Sequence, residues 1–421
     1  MEQKQKAIVV GINLHHQEDF AYQMEELCHL ASACDVEVVG ELTQHLNRIH
    51  SSHYIGKGKV QELLAFILET GANMVIFNDE LSPSQIRNLE ADLSCKIVDR
   101  TLLILDIFAD RAKTREAKLQ IETAYLHYML PRLVGMRKSL GRQSGGVGTK
   151  NKGVGEKKLE LDRRKIEERI TALNKELEAL AAQRETQRKQ RQKKGLPVVS
   201  LVGYTNAGKS TIMNTLIEIF HHDTHKQVFE KDMLFATLET SVRNITLPDN
   251  KSFLLTDTVG FVNKLPHHLV KAFRSTLEEA INADLLIHVV DFSNPQYKQL
   301  MQITIETLQN IGITDMPVIY VFNKADLTDK QIPYVENNGV YLSAKQKIGI
   351  DELIQMIRKH IFTDYKYCQM LIPYDQGNVV SYFNENAHVL STSYEHNGTI
   401  LALECKAIDA EKYKHFILHE Q

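Results

Sequence analysis

Hydrophobic positions along the chain change their period several times, and each change marks an element. Aliphatic, β-branched runs at residues 7–13, 36–39 and 74–77 predict strands. Residues 19–34 and 59–69 carry apolar side chains at helical spacing between them. Strands alternating with helices predict a βαβ-type domain with a parallel sheet over residues 1–110. Ser82 followed by Pro83 predicts a helix start, with Ser82 as the cap and Pro83 at the first helical position, where no N–H is needed.

Over residues 111–196 the pattern becomes long, charged helices, interrupted by Gly141-Arg-Gln-Ser-Gly-Gly-Val-Gly-Thr-Lys-Asn-Lys-Gly-Val-Gly155. Leu159, Ile166, Ile170, Leu173, Leu177 and Leu180 follow the three-and-four spacing of a coiled-coil seam, which predicts an antiparallel helical hairpin with a glycine-rich basic tip at residues 137–158. Arms of this length would carry the tip about 40 Å from the base, at about 1.5 Å per residue. Pro131 should end or kink the first arm, since it lacks an N–H and its ring clashes with the preceding turn. The polar, basic stretch 184–194 predicts a helix end running into a linker. A second α/β unit spans residues 197–362 and a small C-terminal domain residues 366–421, where strands at 389–394 and 399–405 flank the turn sequence His396-Asn-Gly. The predicted fold class is multidomain α/β: an N-terminal α/β subdomain with a long antiparallel helical hairpin, a doubly wound P-loop domain and a small α+β domain.

The second α/β unit carries the chemistry. A buried strand at residues 198–202 runs into Gly203-Tyr-Thr-Asn-Ala-Gly-Lys-Ser210 and then a helix from Thr211, the strand-to-helix context a GxxxxGKS phosphate loop needs. Backbone N–H groups from Gly203, Tyr204, Thr205, Asn206, Ala207 and Gly208 would wrap a β-phosphate at the helix N-terminus. Lys209 would reach the β- and γ-phosphates, and the Ser210 hydroxyl would ligate Mg2+. Phe253-Leu-Leu-Thr-Asp257-Thr-Val-Gly260 predicts a strand ending in Asp-x-x-Gly, with Asp257 holding Mg2+ through water and the Gly260 N–H facing the γ-phosphate. A second strand leads into Asn323-Lys324-Ala-Asp326. A carboxylate at Asp326 can accept from both N1–H and the 2-amino group of guanine, which adenine cannot offer, and that predicts GTP over ATP. Asn323 would contact the base edge and the ribose-side loop, Lys324 would cover the ring with its stem, and Ser343-Ala344-Lys345 would supply a backbone donor toward guanine O6.

Thr237 is the expected magnesium-binding switch threonine, with Thr240 the alternative. Phe261 stands after Gly260 where many GTPases place a glutamine that orients the attacking water, which predicts slow intrinsic hydrolysis completed by a partner or another residue. The catalytic set is therefore Lys209, Thr237, Gly260 and the non-polar Phe261. The order and spacing of these motifs are those of a translation-factor-class GTPase.

Composition narrows the partners. The 421 residues are 43% hydrophobic and 24% charged, which excludes collagenous and wholly disordered chains. Five scattered cysteines and no apolar run near the roughly 18 residues of a membrane helix predict a soluble, cytoplasmic protein without a membrane or zinc role. The net charge of −3 conceals a basic run between Arg132 and Lys194. Arg132, Arg137, Lys138, Arg142, Lys150, Lys152, Lys157 and Lys158 surround the tip, and Arg184, Arg188, Lys189, Arg191, Lys193 and Lys194 load the second arm. Such charge favours RNA phosphates over base reading, and a solvated basic helix face would look the same.

Across almost its whole length the chain resembles the HflX family of ribosome-associated GTPases. The resemblance rests on Tyr54-Ile-Gly-Lys-Gly-Lys59, Leu81-Ser-Pro-Ser-Gln-Ile-Arg-Asn-Leu89, Asp99-Arg-Thr-Leu-Leu-Ile-Leu-Asp-Ile-Phe108, Pro131-Arg-Leu-Val-Gly135, the phosphate loop through Thr211, Phe235-Ala-Thr-Leu238 and Asp257-Thr-Val-Gly-Phe261. It implies a factor that binds the large (50S) ribosomal subunit and ribosomal RNA, not DNA, splits stalled 70S ribosomes, hydrolyses GTP faster on the ribosome, and points its tip into the peptidyl-transferase centre. Arg142, Gly145, Gly146, Lys150, Asn151, Lys152, Lys157 and Lys158 would then meet RNA. The tip departs from the family pattern: Asn151 and Lys152 make it two residues longer, and Val154 replaces a proline. That looks like the antibiotic-resistance branch, which rescues ribosomes stalled by macrolides and lincosamides; neutral loop-length variation is the alternative.

His221-His222-Asp223-x-His225 and His267-His268 read as loop faces, and Gly56-Lys57-Gly-Lys59 is too short to claim a second nucleotide site. The rival from another class is a regulatory GTPase acting on a protein partner. Nothing suggests an obligate dimer, so a monomer is expected.

Overall fold

Continuous aliphatic runs form the interior strands of both sheets, because a parallel strand covered by helices on two faces has no polar side to show. The structure is a computed structural model that describes residues 5–15, 19–143, 152–193, 195–220, 241–264 and 279–420. It divides into two units, the first comprising residues 1–189, 231–239 and 261–275 and the second residues 190–230, 240–260 and 276–421.

In the first unit, β1 (Lys6–Leu14), β2 (Glu37–Leu46), β3 (Met74–Phe77) and β4 (Lys96–Asp99) form a parallel sheet in the order β2-β1-β3-β4. Ile8, Val10, Val75 and Phe77 on these strands pack with Leu63, Ile67 and Leu89 from the helices. β2 runs well past the predicted residues 36–39, because an edge strand tolerates the polar positions Glu41, Thr43 and Gln44. Ser82 caps the helix Pro83–Leu93 as predicted and closes a capping box, its hydroxyl accepting from Gln85 N while the Gln85 side chain accepts from Ser82 N.

Helices α5 (Arg115–Gln143) and α6 (Lys152–Lys193) follow α1 (Phe20–Ala33), α2 (Lys57–Thr70), α3 (Pro83–Leu93) and α4 (Arg100–Arg111). They run antiparallel, as the pairs Arg169–Glu122 (2.8 Å), Arg115–Glu176 (2.7 Å) and Arg184–Glu116 (3.0 Å) show. Ile170 and Leu173 of the seam are buried. Two expectations change in part. Of the two outcomes expected at Pro131, ending the first arm is excluded, since the helix continues through it to Gln143. The neighbouring Arg132 ties that turn to the sheet, donating to Tyr128 O (2.6 Å), Leu81 O (3.1 Å) and Asp99 Oδ2 (3.0 Å), contacts that act against the roughly 3 kcal/mol an interior proline costs. The glycine-rich stretch also breaks the helices less than expected, since Gly141 lies in α5 and Gly153 and Gly155 in α6.

In the second unit, β5 (Val198–Gly203), β6 (Ser241–Thr246), β7 (Ser252–Asp257), β8 (Leu285–Asp291), β9 (Val318–Asn323), β10 (Tyr334–Glu336) and β11 (Gly339–Tyr341) form a mixed sheet in the order β10-β11-β9-β8-β5-β7-β6. Only the edge strands β6 and β10 run antiparallel to their neighbours. A smaller antiparallel sheet follows, with β12 (Tyr365–Ile372), β13 (His388–Glu395), β14 (Gly398–Lys406) and β15 (Ile417–Glu420) in the order β13-β14-β12-β15. It has its own core of Cys368, Met370, Phe383, Leu401 and Leu403. Lys251 to Glu404 (2.7 Å) and Asn250 to Asn384 O and Ala387 O (3.2 Å each) fasten it to the larger sheet.

Candidate functional site

The parallel strands β5, β7, β8 and β9 end on one side of the sheet, and the loops that leave β5, β7 and β9 carry the predicted motifs. From β5 the chain turns through Asn206 (φ 60°) and Gly208 (φ 95°) into the helix Lys209–Phe220, on whose first turn Ser210 and Thr211 lie. Gly208 is required twice over: its φ lies in the left-handed region, and a Cβ there would sit 2.1 Å from Asn323 Nδ2. Lys209 is buried, and its ammonium donates to Gly203 O (3.0 Å) and Tyr204 O (2.8 Å). Burial pulls its pKa down to about 8, partly countered by the charge of Asp257.

Ser210 Oγ donates to Asp257 Oδ2 at 2.7 Å, and Asp257 is fully buried at the end of β7. Thr205 Oγ1 is buried in the loop without a hydrogen-bond partner among the described residues, a polar atom positioned for an oxygen-rich ligand. A Cβ on Gly260 would meet Thr205 Cα at 2.8 Å and Lys209 Nζ at 3.0 Å, so the Asp-x-x-Gly loop closes directly onto the phosphate loop. No group of three or more His, Cys, Asp or Glu side chains able to hold a metal occurs among the described residues. A cation here would depend on the Ser210 and Asp257 oxygens, with phosphate and water completing the shell, which suits Mg2+.

The base side is built around Asn323. It is buried, and both ends of its amide are occupied: Nδ2 donates to Ala207 O (2.9 Å) and Oδ1 accepts from Ala344 N (3.0 Å). Asn323 therefore staples the phosphate loop to the Ser343-Ala344-Lys345 loop, and in this structure the Ala344 N–H is spent on it rather than turned outward. Thr215 Oγ1 donates to Ala344 O at 3.0 Å from beneath. Lys324 pairs with Asp291 at 2.8 Å, and Asp326 is half-buried at the rim, accepting from Gln346 Nε2 at 3.1 Å.

Three of these neighbours escaped the sequence reading. Asp291 ends the apolar strand β8 and could have been found as its terminal carboxylate. His288, buried on β8, is held neutral with its pKa down to about 4, first by burial and then by the Lys209 charge. Gln346 had no local signal. Phe261 is buried, as a core residue would be, and the chain passes from the second unit to the first between Gly260 and Phe261. Within the first unit Arg100 Nε donates to Asn263 O at 3.2 Å, and Lys264 lies 2.5 Å from Asp79.

Thr237 and Thr240 lie outside the described residues, as do Gly145, Gly146, Lys150, Asn151 and the histidines at 221, 222, 225, 267 and 268. Arg142 lies on α5 and Lys152, Lys157 and Lys158 on α6. Arg132, grouped with the tip by charge, is instead committed to the buried Asp99. The Gly56-Lys-Gly-Lys59 turn caps and opens α2, where Lys59 pairs with Glu62 at 2.8 Å.

The chain matches three family descriptions in succession: GTP-binding GTPase N-terminal over residues 21–109, GTP-binding GTPase Middle Region over 111–191, and 50S ribosome-binding GTPase over 198–324. It is 43% identical over 415 residues to GTPase HflX of Caldanaerobacter subterraneus subsp. tengcongensis, covering 99% of this chain and 94% of the relative. It is 37% identical over 402 residues to GTPase HflX of Escherichia coli K12, covering 94% and 92%. A GTP-binding protein from Sulfolobus solfataricus, solved with GDP, aligns at 23% identity and a TM-score of 0.44 over 85% of this chain and 99% of its own. By its near full-length identity to these relatives, the chain belongs to the HflX family of GTPases.

Proposed function

We propose that the chain is a GTP-driven switch that binds the large ribosomal subunit and splits or rescues stalled 70S ribosomes, with its helical hairpin as the arm that meets ribosomal RNA. The observation that carries the nucleotide half is the stapled pair of loops, in which Asn323 holds the phosphate loop and the Ser343–Lys345 loop at fixed spacing around Asp326. Lys209 would bind the β- and γ-phosphates, giving up its bonds to Gly203 O and Tyr204 O, and Asp326 would take the guanine edge. Ser210 and Asp257 would hold Mg2+, with Thr237 as a further ligand; when bound, the ion neutralises charge on the phosphates. The buried, non-polar Phe261 supplies no hydrogen bond to water, so the group that orients the nucleophile comes from elsewhere, which fits low turnover until the ribosome binds. His288 stays neutral beneath the phosphate loop and adds no competing charge.

The ribosomal half is supported by the family description over residues 198–324 and by the basic residues of the arms. The two additional tip residues, Asn151 and Lys152, support extending the reading to ribosomes stalled by macrolides and lincosamides. The test is GTP and ATP turnover with and without purified large subunits, for the native chain and for a variant lacking Asn151 and Lys152. GTP-specific stimulation by the subunit is expected, together with a rescue defect under lincomycin confined to the shortened tip. Absence of stimulation would overturn the ribosomal reading in favour of a protein partner. Equal rescue by both chains would remove the resistance role.

A further inference from the structure

Asp326 is the residue asked to choose guanine, and a carboxylate can do so only if both oxygens face the N1–H and 2-amino edge together. The motif leaves that rotation open, because Asp326 sits half-buried on a short 3-10 turn, Ala325–Leu327, and nothing in Asn-Lys-x-Asp itself sets the angle of its carboxylate. The structure shows what closes it. Gln346 Nε2 donates to Asp326 Oδ2 at 3.1 Å, and the assignment of its amide is unambiguous because an ionised carboxylate can only accept.

Gln346 is itself anchored through its backbone. Ser343 and Ile348 exchange two hydrogen bonds of 3.0 Å, Lys347 N reaches Ala344 O at 3.2 Å, and Gln346 N donates to Ser343 Oγ at 3.2 Å. The loop is pinned to the Asn323–Asp326 segment by Ala344 N to Asn323 Oδ1 (3.0 Å) and Ala325 N to Leu342 O (3.2 Å). Lys347, at φ 60°, is turned away to pair with Glu218 at 2.6 Å, while Gln346 faces Asp326.

We propose that Gln346 is a positioning residue for base selection: its amide fixes the rotation of the Asp326 carboxylate so that both oxygens meet guanine. This rests on the reading of Asp326 as the guanine-binding carboxylate. Gln346 takes one of the roughly four lone-pair directions of the carboxylate, leaving enough for two bonds to the base. The benefit appears only for a two-pronged partner. Hypoxanthine, which keeps N1–H and lacks the 2-amino group, needs one oxygen, and a freely turning carboxylate can supply that.

The experiment is competition of GDP, IDP and ADP against a fluorescent guanine nucleotide on the full-length protein, for the native chain and Gln346→Ala, Gln346→Glu and Asp326→Ala. Gln346 is exposed, so its replacements leave the core intact. Gln346→Ala is expected to weaken GDP about three- to tenfold, the range for one charge-assisted hydrogen bond at a solvent-facing site, with IDP nearly unchanged. Gln346→Glu should lose more GDP affinity than the alanine, since it cannot donate and places a like charge beside Asp326. Equal weakening of GDP and IDP would overturn the proposal by showing a merely structural loop role, and tighter GDP binding by Gln346→Ala would overturn it by showing a competitor for the carboxylate. A native protein that does not prefer GDP to IDP, with Asp326→Ala unchanged, would instead overturn the reading of Asp326 itself.

Discussion

Nucleotide affinity should fall as pH rises through about 8, because the group that must carry a charge for the phosphates loses its proton there in the empty site. Lys209 is buried, and burial lowers its pKa from 10.5 to about 8. That drop amounts to about 3 kcal/mol against the ammonium, at about 1.4 kcal/mol per tenfold change. The sign follows directly. Phosphate binding favours the protonated form and restores its pKa, so binding takes up a proton whenever the empty site has lost one. With a midpoint near 8, about nine-tenths of the empty sites are protonated at pH 7 and about a quarter at pH 8.5. The dissociation constant for GDP should therefore rise about fourfold between those values. Titration calorimetry in two buffers of different ionisation enthalpy should show net proton uptake that grows with pH. Lys209→Met supplies the baseline, since any titration of the nucleotide persists in it while the Lys209 contribution vanishes. Asp257→Asn removes the charge that holds the ammonium up, so the decline should begin at lower pH. A native dissociation constant that tracks the Lys209→Met baseline from pH 7 to 8.5 would refute the claim that desolvation in the empty loop governs this lysine.

Asn323→Ala should cost about 2–4 kcal/mol in urea unfolding of the second unit, because it leaves Ala207 O and Ala344 N without partners at about 1–3 kcal/mol each, and it should release both GDP and IDP. Retained stability would show that the loops are held by other contacts. Arg132→Ala leaves the fully buried Asp99 carboxylate without its cation and should destabilise the first unit by about 3–5 kcal/mol at pH 7. Burial already raises the Asp99 pKa, so this group's contribution is present at low pH and is lost as pH rises through the raised value; removing Arg132 raises it further. The defect should accordingly shrink as pH falls from 7, and a pH-independent defect would point to the lost contacts with Leu81 and Tyr128 instead.

What could be read in advance was what is local. The strands at residues 7–13 and 74–77 announced themselves because strands buried on both faces must be apolar throughout, and the phosphate loop because its chemistry needs contiguous residues. β2 was read short because an edge strand carries polar side chains that hide its period. That the first arm continues past Pro131 could not be read locally, because the ties of Arg132 to Asp99 and Leu81 O are tertiary and no property of the proline reveals them. The site divides in the same way. Lys209, Asp257 and Asp326 follow from motif chemistry, whereas the stapling by Asn323 and the bond from Gln346 link positions 21 and 20 residues apart that meet only once β9 and β11 are side by side.

The same distinction bears on the arms, where a count of basic residues overstates the charge available to RNA. Arg163, Arg164 and Lys189 pair with glutamates four residues away on α6, and Arg115, Arg169 and Arg184 pair across the hairpin. The exposed pairs among these, which leave out the half-buried Arg184–Glu116, contribute only about 0–1 kcal/mol, so each of their arginines can exchange its carboxylate for a phosphate at little cost. The displaced glutamate remains nearby, however, and repels the same phosphate, so such a pair contributes less to salt-dependent binding than an unopposed lysine would. Arg132 cannot exchange at all, since leaving Asp99 would strand a buried carboxylate. A salt titration on ribosomal subunits should therefore give a slope below that expected from the number of lysines and arginines between positions 132 and 194. The slope removed by Lys157→Ala and Lys158→Ala, set against the affinity lost with Arg132→Ala, tests the proposed contact of the arm with RNA.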